Sequence, residues 1–242
     1  MAAFEGPAAA NGETPDWRRR RLGPPILGAA FRDHPAATRW IQGMESDVDV
    51  TSEDFRENLD LALIDFVPAF CGTGSELAEQ MLRRVWRMQF ISAHGNRPGE
   101  PAVLGDGHGQ RLTIAELPDQ SIQATAAMVL DACYAGSPGF VETLAVKMDP
   151  APTTFIGFTG QSTGRTATAF GRRLLEPFLR LDEGPEITAD AVAEAARGAW
   201  RQIWDHWEPS GRWLLREAGL VVIRGFPDNL TPWSAVTSIG RR

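Results

Sequence analysis

Cysteine is scarce in this chain: Cys71 and Cys133 are the two among 242 residues. No CxxC pair and no HExxH segment occurs, and the four histidines lie far apart, so a structural zinc site is not expected. The first 24 residues contain Glu5, Glu13 and Asp16 and lack the apolar core of a secretory leader. Two isolated thiols without such a leader read as free thiols in a reducing, cytoplasmic setting. No apolar run approaches the ~18 residues a membrane span needs, which speaks against a membrane partner. Positive charge is also short, with 24 Lys and Arg against 31 Asp and Glu and a formal net charge of -7. An acidic chain gains nothing from counterion release on DNA, so nucleic acid is not an expected partner either. What is present is ordinary: 43% hydrophobic residues over a length that suits one compact domain.

Residues 1–23, rich in Ala, Gly, Pro and acid and ending in the run Arg18 to Arg21, read as a disordered arm. The domain body is expected over 24–242. There, short apolar runs alternate with helix-length segments, the signature of an α/β sheet. Pro25 to Phe31 reads as a first strand, Pro35 to Gly43 as a helix, and Asp47 to Val50 as a short strand. Thr51 and Asp54 have capping spacing for a helix that continues through Leu63, and Ser75 to Arg84 forms another. Met88 to Gly95 is a clearer strand, and VLGDGHGQRLTI reads as a hairpin turning at Gly105 to Gly109. Gln120 to Ala127 is expected to be a short helix leading into the strand Met128 to Cys133. Strands at Thr153 to Thr159 and Leu220 to Arg224 enclose a helix from Thr166 to Leu181. They also enclose a long amphipathic helix capped by Thr188, with Val192, Ala196, Trp200, Ile203 and Trp207 at helical spacing. Its three tryptophans, Trp200, Trp204 and Trp207, read as packing residues. The sum is about six core strands in a mostly parallel sheet with helices on both faces.

Two strand ends carry chemistry. FISAHG puts His94 where an apolar strand gives way to a glycine-containing loop, and VLDACYAG puts Cys133 at the equivalent point of a second strand. Ligands bind outside the carboxyl ends of strands in open parallel sheets, so neighbouring strands of this kind would bring thiol and imidazole to one rim. A nucleophilic cysteine needs such a base within reach. Gly95 has no Cβ to block a substrate, and its N–H with that of Cys133 could hold an oxyanion. His108, in GDGHGQ, reads as an exposed hairpin tip, and Cys71, in PAFCGTG, as a structural thiol in a loop.

SAHG, then LTIAEL, then VLDACYAG together resemble the caspase, metacaspase and CHAT-type branch of cysteine peptidases, clan CD. In that branch an HG motif on one strand precedes a D-x-C-x-x-G motif on the next core strand. The resemblance runs from about Met88 to Leu181 and includes TTFIGFTGQS. It implies a caspase-like fold and a cysteine endopeptidase with a His94–Cys133 dyad acting on protein or peptide substrates. No metal or organic cofactor is implied. The caspase signature has Gln two residues before the nucleophile, whereas this chain has Asp131 there, as in the metacaspase pattern. Carried over, Asp131 would bind Arg or Lys at P1, the substrate residue before the cut bond. Relatives often work beside a sensor or regulatory protein encoded elsewhere, and many are opened by cleavage after the nucleophile strand. Here that stretch is Ser137 to Pro152, with Lys147 a candidate cut site.

The same motifs also fit a non-catalytic caspase-like interaction module, or a thiol hydrolase acting on a non-peptide acyl group. TTFIGF-TGQSTGRT has the strand–loop–helix form of a phosphate loop, but Thr159 and Arg165 stand where the first Gly and the Lys of that motif belong. In the peptidase reading this loop would lie beside the substrate cleft.

Overall fold

A computed structural model of the chain describes residues 26–32, 66–83, 86–179 and 185–231. The expected arm over 1–23, the helix from Pro35 to Gly43, the strand from Asp47 to Val50 and the segment capped by Thr51 lie outside the described residues.

In chain order the elements are β1 (Ile26–Phe31), β2 (Phe66–Cys71), α1 (Gly74–Leu82), β3 (Met88–Ser92) and β4 (His94–Gly95). After them come β5 (Val103–Gly105), β6 (Arg111–Thr113), a 3₁₀ turn at Ile114–Glu116, β7 (Ala127–Asp131) and α2 (Pro138–Lys147). The chain then forms β8 (Thr153–Phe158), α3 (Gly164–Leu179), α4 (Ala189–His206), α5 (Pro209–Ala218) and β9 (Leu220–Phe226). Among the described residues the main sheet has six strands in the order β2-β1-β3-β7-β8-β9. All its pairings are parallel except that of β8 with β9. This is the α/β class expected from the alternation of runs.

Period-two alternation along each strand sorts the core into two layers. Met128 and Leu130 of β7 and Val221 and Ile223 of β9 face one layer, where Leu77 and Met81 of α1 and Phe140 and Leu144 of α2 meet them. Ala127, Val129, Leu220 and Val222 point the other way, toward α3, α4 and α5. Trp200 sits in that second layer at 4% exposure, edge-on to Phe170 with ring centroids 6.0 Å apart. Both faces of the sheet are therefore covered, which leaves β3, β7 and β8 buried along their whole length. The α4 cap is as expected: Thr188 Oγ1 accepts the Ala191 N–H at 3.2 Å.

Three expectations are corrected. Gln120 to Ala127 is not helical, because its backbone is recruited by the end of α2. The N–H groups of Gln120, Ser121 and Ile122 donate to the carbonyls of Val146 and Lys147, supplying partners that the last turn of a helix lacks. Cys71 ends β2 rather than lying in a loop. Its backbone is claimed by β1: Cys71 stands opposite Phe31, and the Arg32 N–H donates to its carbonyl at 2.8 Å. The stretch after β7 is mostly helix α2, and Lys147 is a buried residue of its last turn, with Nζ 2.6 Å from Asp119 Oδ1. A protease cannot reach an extended chain there.

Candidate active site

Strands β3 and β7 are adjacent and parallel, with Ser92 opposite Asp131. His94 and Cys133 each follow two residues later, so the shared register carries both to the same rim. Beyond the strands the two chains stay joined: the Ala93 N–H donates to the Asp131 carbonyl at 3.2 Å. Gly95 then closes on the turn that carries Cys133. A Cβ added at Gly95 would stand 2.0 Å from the Cys133 carbonyl oxygen and 3.2 Å from its nitrogen, so no other residue fits without moving one of the two segments.

His94 opens a small antiparallel sheet of order β4-β5-β6, the last two strands being the expected hairpin. The hairpin tip folds back on the imidazole. Gly107, at φ +82°, lies so close that a Cβ there would be 2.9 Å from His94 Cδ2. Asp106 shapes this tip. Burial pushes its carboxyl up, but N–H donors from His108, Gln110 and Gly109 outweigh that and hold it below the usual carboxylate range. His108 itself is exposed, as expected.

Cys133 is half-buried at the start of a tight turn, in which Tyr134 adopts φ 58°, an uncommon conformation for a non-glycine residue. Bonds from Tyr134 N–H to Gly160 O at 3.0 Å and from Gly136 N–H to Phe158 O at 2.7 Å tie the turn to the end of β8. The Cys133 thiol donates to the Ser162 carbonyl, Sγ to O 3.4 Å, and Ser162 Oγ lies 3.7 Å away. Cys71 differs. Burial, with help from Glu76, pushes its thiol up to about 11, which leaves it un-ionised at neutral pH.

Asp131 is 8% exposed. One carboxylate oxygen, Oδ2, accepts the Ser92 hydroxyl at 2.8 Å, while Oδ1 is buried with no partner among the described residues. Burial raises this carboxyl to about 6, and the Ser92 bond pulls the other way. A cavity of about 690 Å³ brings Asp131, His94 and Cys133 together. Gly95 does not line it but abuts the Cys133 backbone from behind.

The remaining wall comes from residues that sequence reasoning had not assigned to a site. Ser162 and Thr163 belong to the glycine loop after β8, which flanks the cavity, and Gly164, Arg165, Arg172 and Arg173 belong to α3. Trp207 also lines the cavity, so of the three tryptophans set aside as packing residues one reaches the site. Ser92 could have been read as a partner of Asp131 only by knowing which strands pair. Among the described residues no group of three or more His, Cys, Asp or Glu is placed to hold a metal ion, and no helix is long and apolar enough to cross a membrane.

No protein-family model and no curated protein matches the sequence. Among solved structures, the chain is similar to a secreted C11 cysteine protease from Bacteroides thetaiotaomicron, determined with an irreversible peptide inhibitor. The TM-score is 0.49 at 11% sequence identity, over 84% of this chain and 66% of that one.

Proposed function

We propose that the chain is a caspase-like cysteine endopeptidase that cuts protein or peptide substrates after Arg or Lys. The observation that carries this reading is the meeting of Cys133, His94 and Asp131 in one cavity, at the carboxyl ends of two adjacent parallel strands. A thiol, an imidazole and a buried carboxylate with a vacant oxygen supply nucleophile, proton carrier and cation receptor in a single space.

The chemistry follows from those parts. Substrate entry displaces the Cys133 thiol from the Ser162 carbonyl, and its proton passes to His94. The thiolate attacks the scissile carbonyl carbon; a C–S bond forms and the C=O electron pair moves onto oxygen. In this reading the N–H of Cys133 holds that oxyanion, while Gly95, which stands outside the cavity wall, contributes only by letting its segment close on the Cys133 turn. Collapse breaks the C–N bond, and the leaving amine takes the proton from the His94 imidazolium. Water then gives a proton to His94 and attacks the thioester. The C–S bond breaks, the new acid is released, and the Cys133–His94 pair is restored. Asp131 Oδ1 receives the guanidinium or ammonium of the P1 side chain.

The test is hydrolysis of fluorogenic peptides with Arg, Lys or Asp at P1 by wild type and by Cys133→Ala. Cleavage after Arg or Lys is expected, with a loss of roughly 10³-fold or more in the variant. Cleavage after Asp alone would keep the peptidase and remove the role of Asp131. No cleavage, together with no labelling of Cys133 by peptidyl chloromethyl ketones, would overturn the reading.

A further inference from the structure

The cavity holds more positive charge than the proposed chemistry uses. The whole chain carries a formal charge of -7, yet the wall around Cys133 contains Arg165, Arg172 and Arg173, with Asp131 as its one carboxylate among the described residues. Positions 165, 172 and 173 fall on one side of α3 by helical spacing, the side turned to the cavity. Arg165 is held in place: its guanidinium carbon lies 4.7 Å from the centre of the Trp207 ring. Gly164, the first residue of α3, also lines the wall, so the positive end of that helix dipole adds to the same field.

A basic P1 side chain has no use for these groups and is repelled by them. The two charges of the cavity are segregated by depth: Asp131 is buried, whereas Arg165 and Arg172 are exposed and Arg173 half-exposed. A cleft with low-dielectric walls concentrates such a field and selects ligands of the opposite sign. Guanidinium groups bind carboxylates in particular, through paired N–H donors.

We propose that the arginine wall of α3 is a second specificity subsite, which receives Asp or Glu side chains neighbouring the basic P1 residue. The inference rests on the peptidase reading and narrows it: preferred substrates are mixed-charge segments, with a carboxylate beside the Arg or Lys at which they are cut. The subsite excludes runs of basic residues, because a second cation would face Arg165, Arg172 and Arg173.

Binding and cleavage separate this proposal from the reading beneath it. Fluorescein-labelled peptides with Arg at P1, and with Glu or isosteric Gln at each flanking position in turn, are titrated against Cys133→Ala by anisotropy. Wild type is assayed with the same peptides. At one or more positions Glu is expected to improve binding and kcat/KM on the order of tenfold over Gln. That ratio is expected to fall toward one in 1 M NaCl, where the screening length is about 3 Å. It is also expected to collapse when Arg172→Gln and Arg173→Gln are added, and the salt titration of the unaltered arginines gives the same information if that variant does not fold. Equal binding of Glu and Gln peptides, or a Glu preference that survives both salt and arginine replacement, overturns the subsite. Cleavage without Glu preference removes the subsite and leaves the peptidase; Glu preference in binding without cleavage removes the peptidase and leaves the subsite.

Discussion

Asp131 is expected to destabilise the protein it serves, and Asp131→Asn tests this. Burial raises its carboxyl from 3.8 to about 6 in the folded chain. A tenfold change in a proton-binding constant corresponds to about 1.4 kcal/mol, so ionising this group in the folded state costs about 3 kcal/mol. The sign follows from proton counting. Between pH 4 and pH 6 the folded chain keeps a proton that the unfolded chain has already lost. Stability is therefore highest below the unfolded value and falls as pH rises through the folded one. Asparagine has the same shape, can still accept the Ser92 hydroxyl, and does not titrate. The stability of Asp131→Asn minus that of wild type should thus grow by about 2.5 kcal/mol from pH 4 to pH 7.5. For a chain of this size that is a relative gain in Tm of roughly 5–10 °C. Comparing the two proteins at each pH cancels every other titrating group, so thermal melts at pH 4, 5, 6 and 7.5 suffice. The same substitution should lower cleavage after Arg or Lys on the order of 10²-fold, since a cationic side chain loses its buried partner. A stability difference that is flat with pH, or that shrinks as pH rises, would refute the reasoning: Asp131 would then not be a buried, desolvated carboxylate.

Two further outcomes follow from the packing around the site. Gly95→Ala places a methyl 2.0 Å from the Cys133 carbonyl oxygen, and contact at ordinary distance needs a shift of more than an ångström. Misplacement of that size costs on the order of 10²-fold in rate, with about 1–3 kcal/mol of overpacking in a thermal melt, so wild-type kcat/KM would contradict the close approach. Iodoacetamide at pH 8 should alkylate Cys133 in the native protein and spare Cys71, whose thiol is buried and raised to about 11. Peptide mapping that finds both modified at one rate would show that the two environments do not differ.

Much of the scaffold was legible because hydrophobic periodicity is local. The strands Met88–Ser92, Ala127–Asp131 and Leu220–Phe226 announce themselves as apolar runs, and the hairpin around Gly105 to Gly109 as a cluster of turn residues. Where local signals and tertiary demands conflict, the sequence misleads. Pro68 disguises β2, whose parallel register with β1 nevertheless runs through to Cys71. Gln120 to Ala127 has helix-compatible residues, but its N–H groups serve the open carbonyls of α2 instead. Lys147 invited a processing role that its burial against Asp119 denies. Trp207 matches Trp200 and Trp204 in helical spacing, and only its position at the end of α4 turns it toward Arg165 and the cavity.

By itself the sequence determined the fold class, the strand ends that carry His94 and Cys133, and the unusual acid two residues before the thiol. These are properties of single segments, written in the order of their residues. Tertiary structure decided what those segments share. Strand pairing set Ser92 against Asp131, close packing drove Gly95 onto the Cys133 turn, and helix placement lined the cavity with the arginines of α3. Such contacts join residues up to dozens of positions apart, and their energies depend on burial and distance, which exist only once the chain has folded.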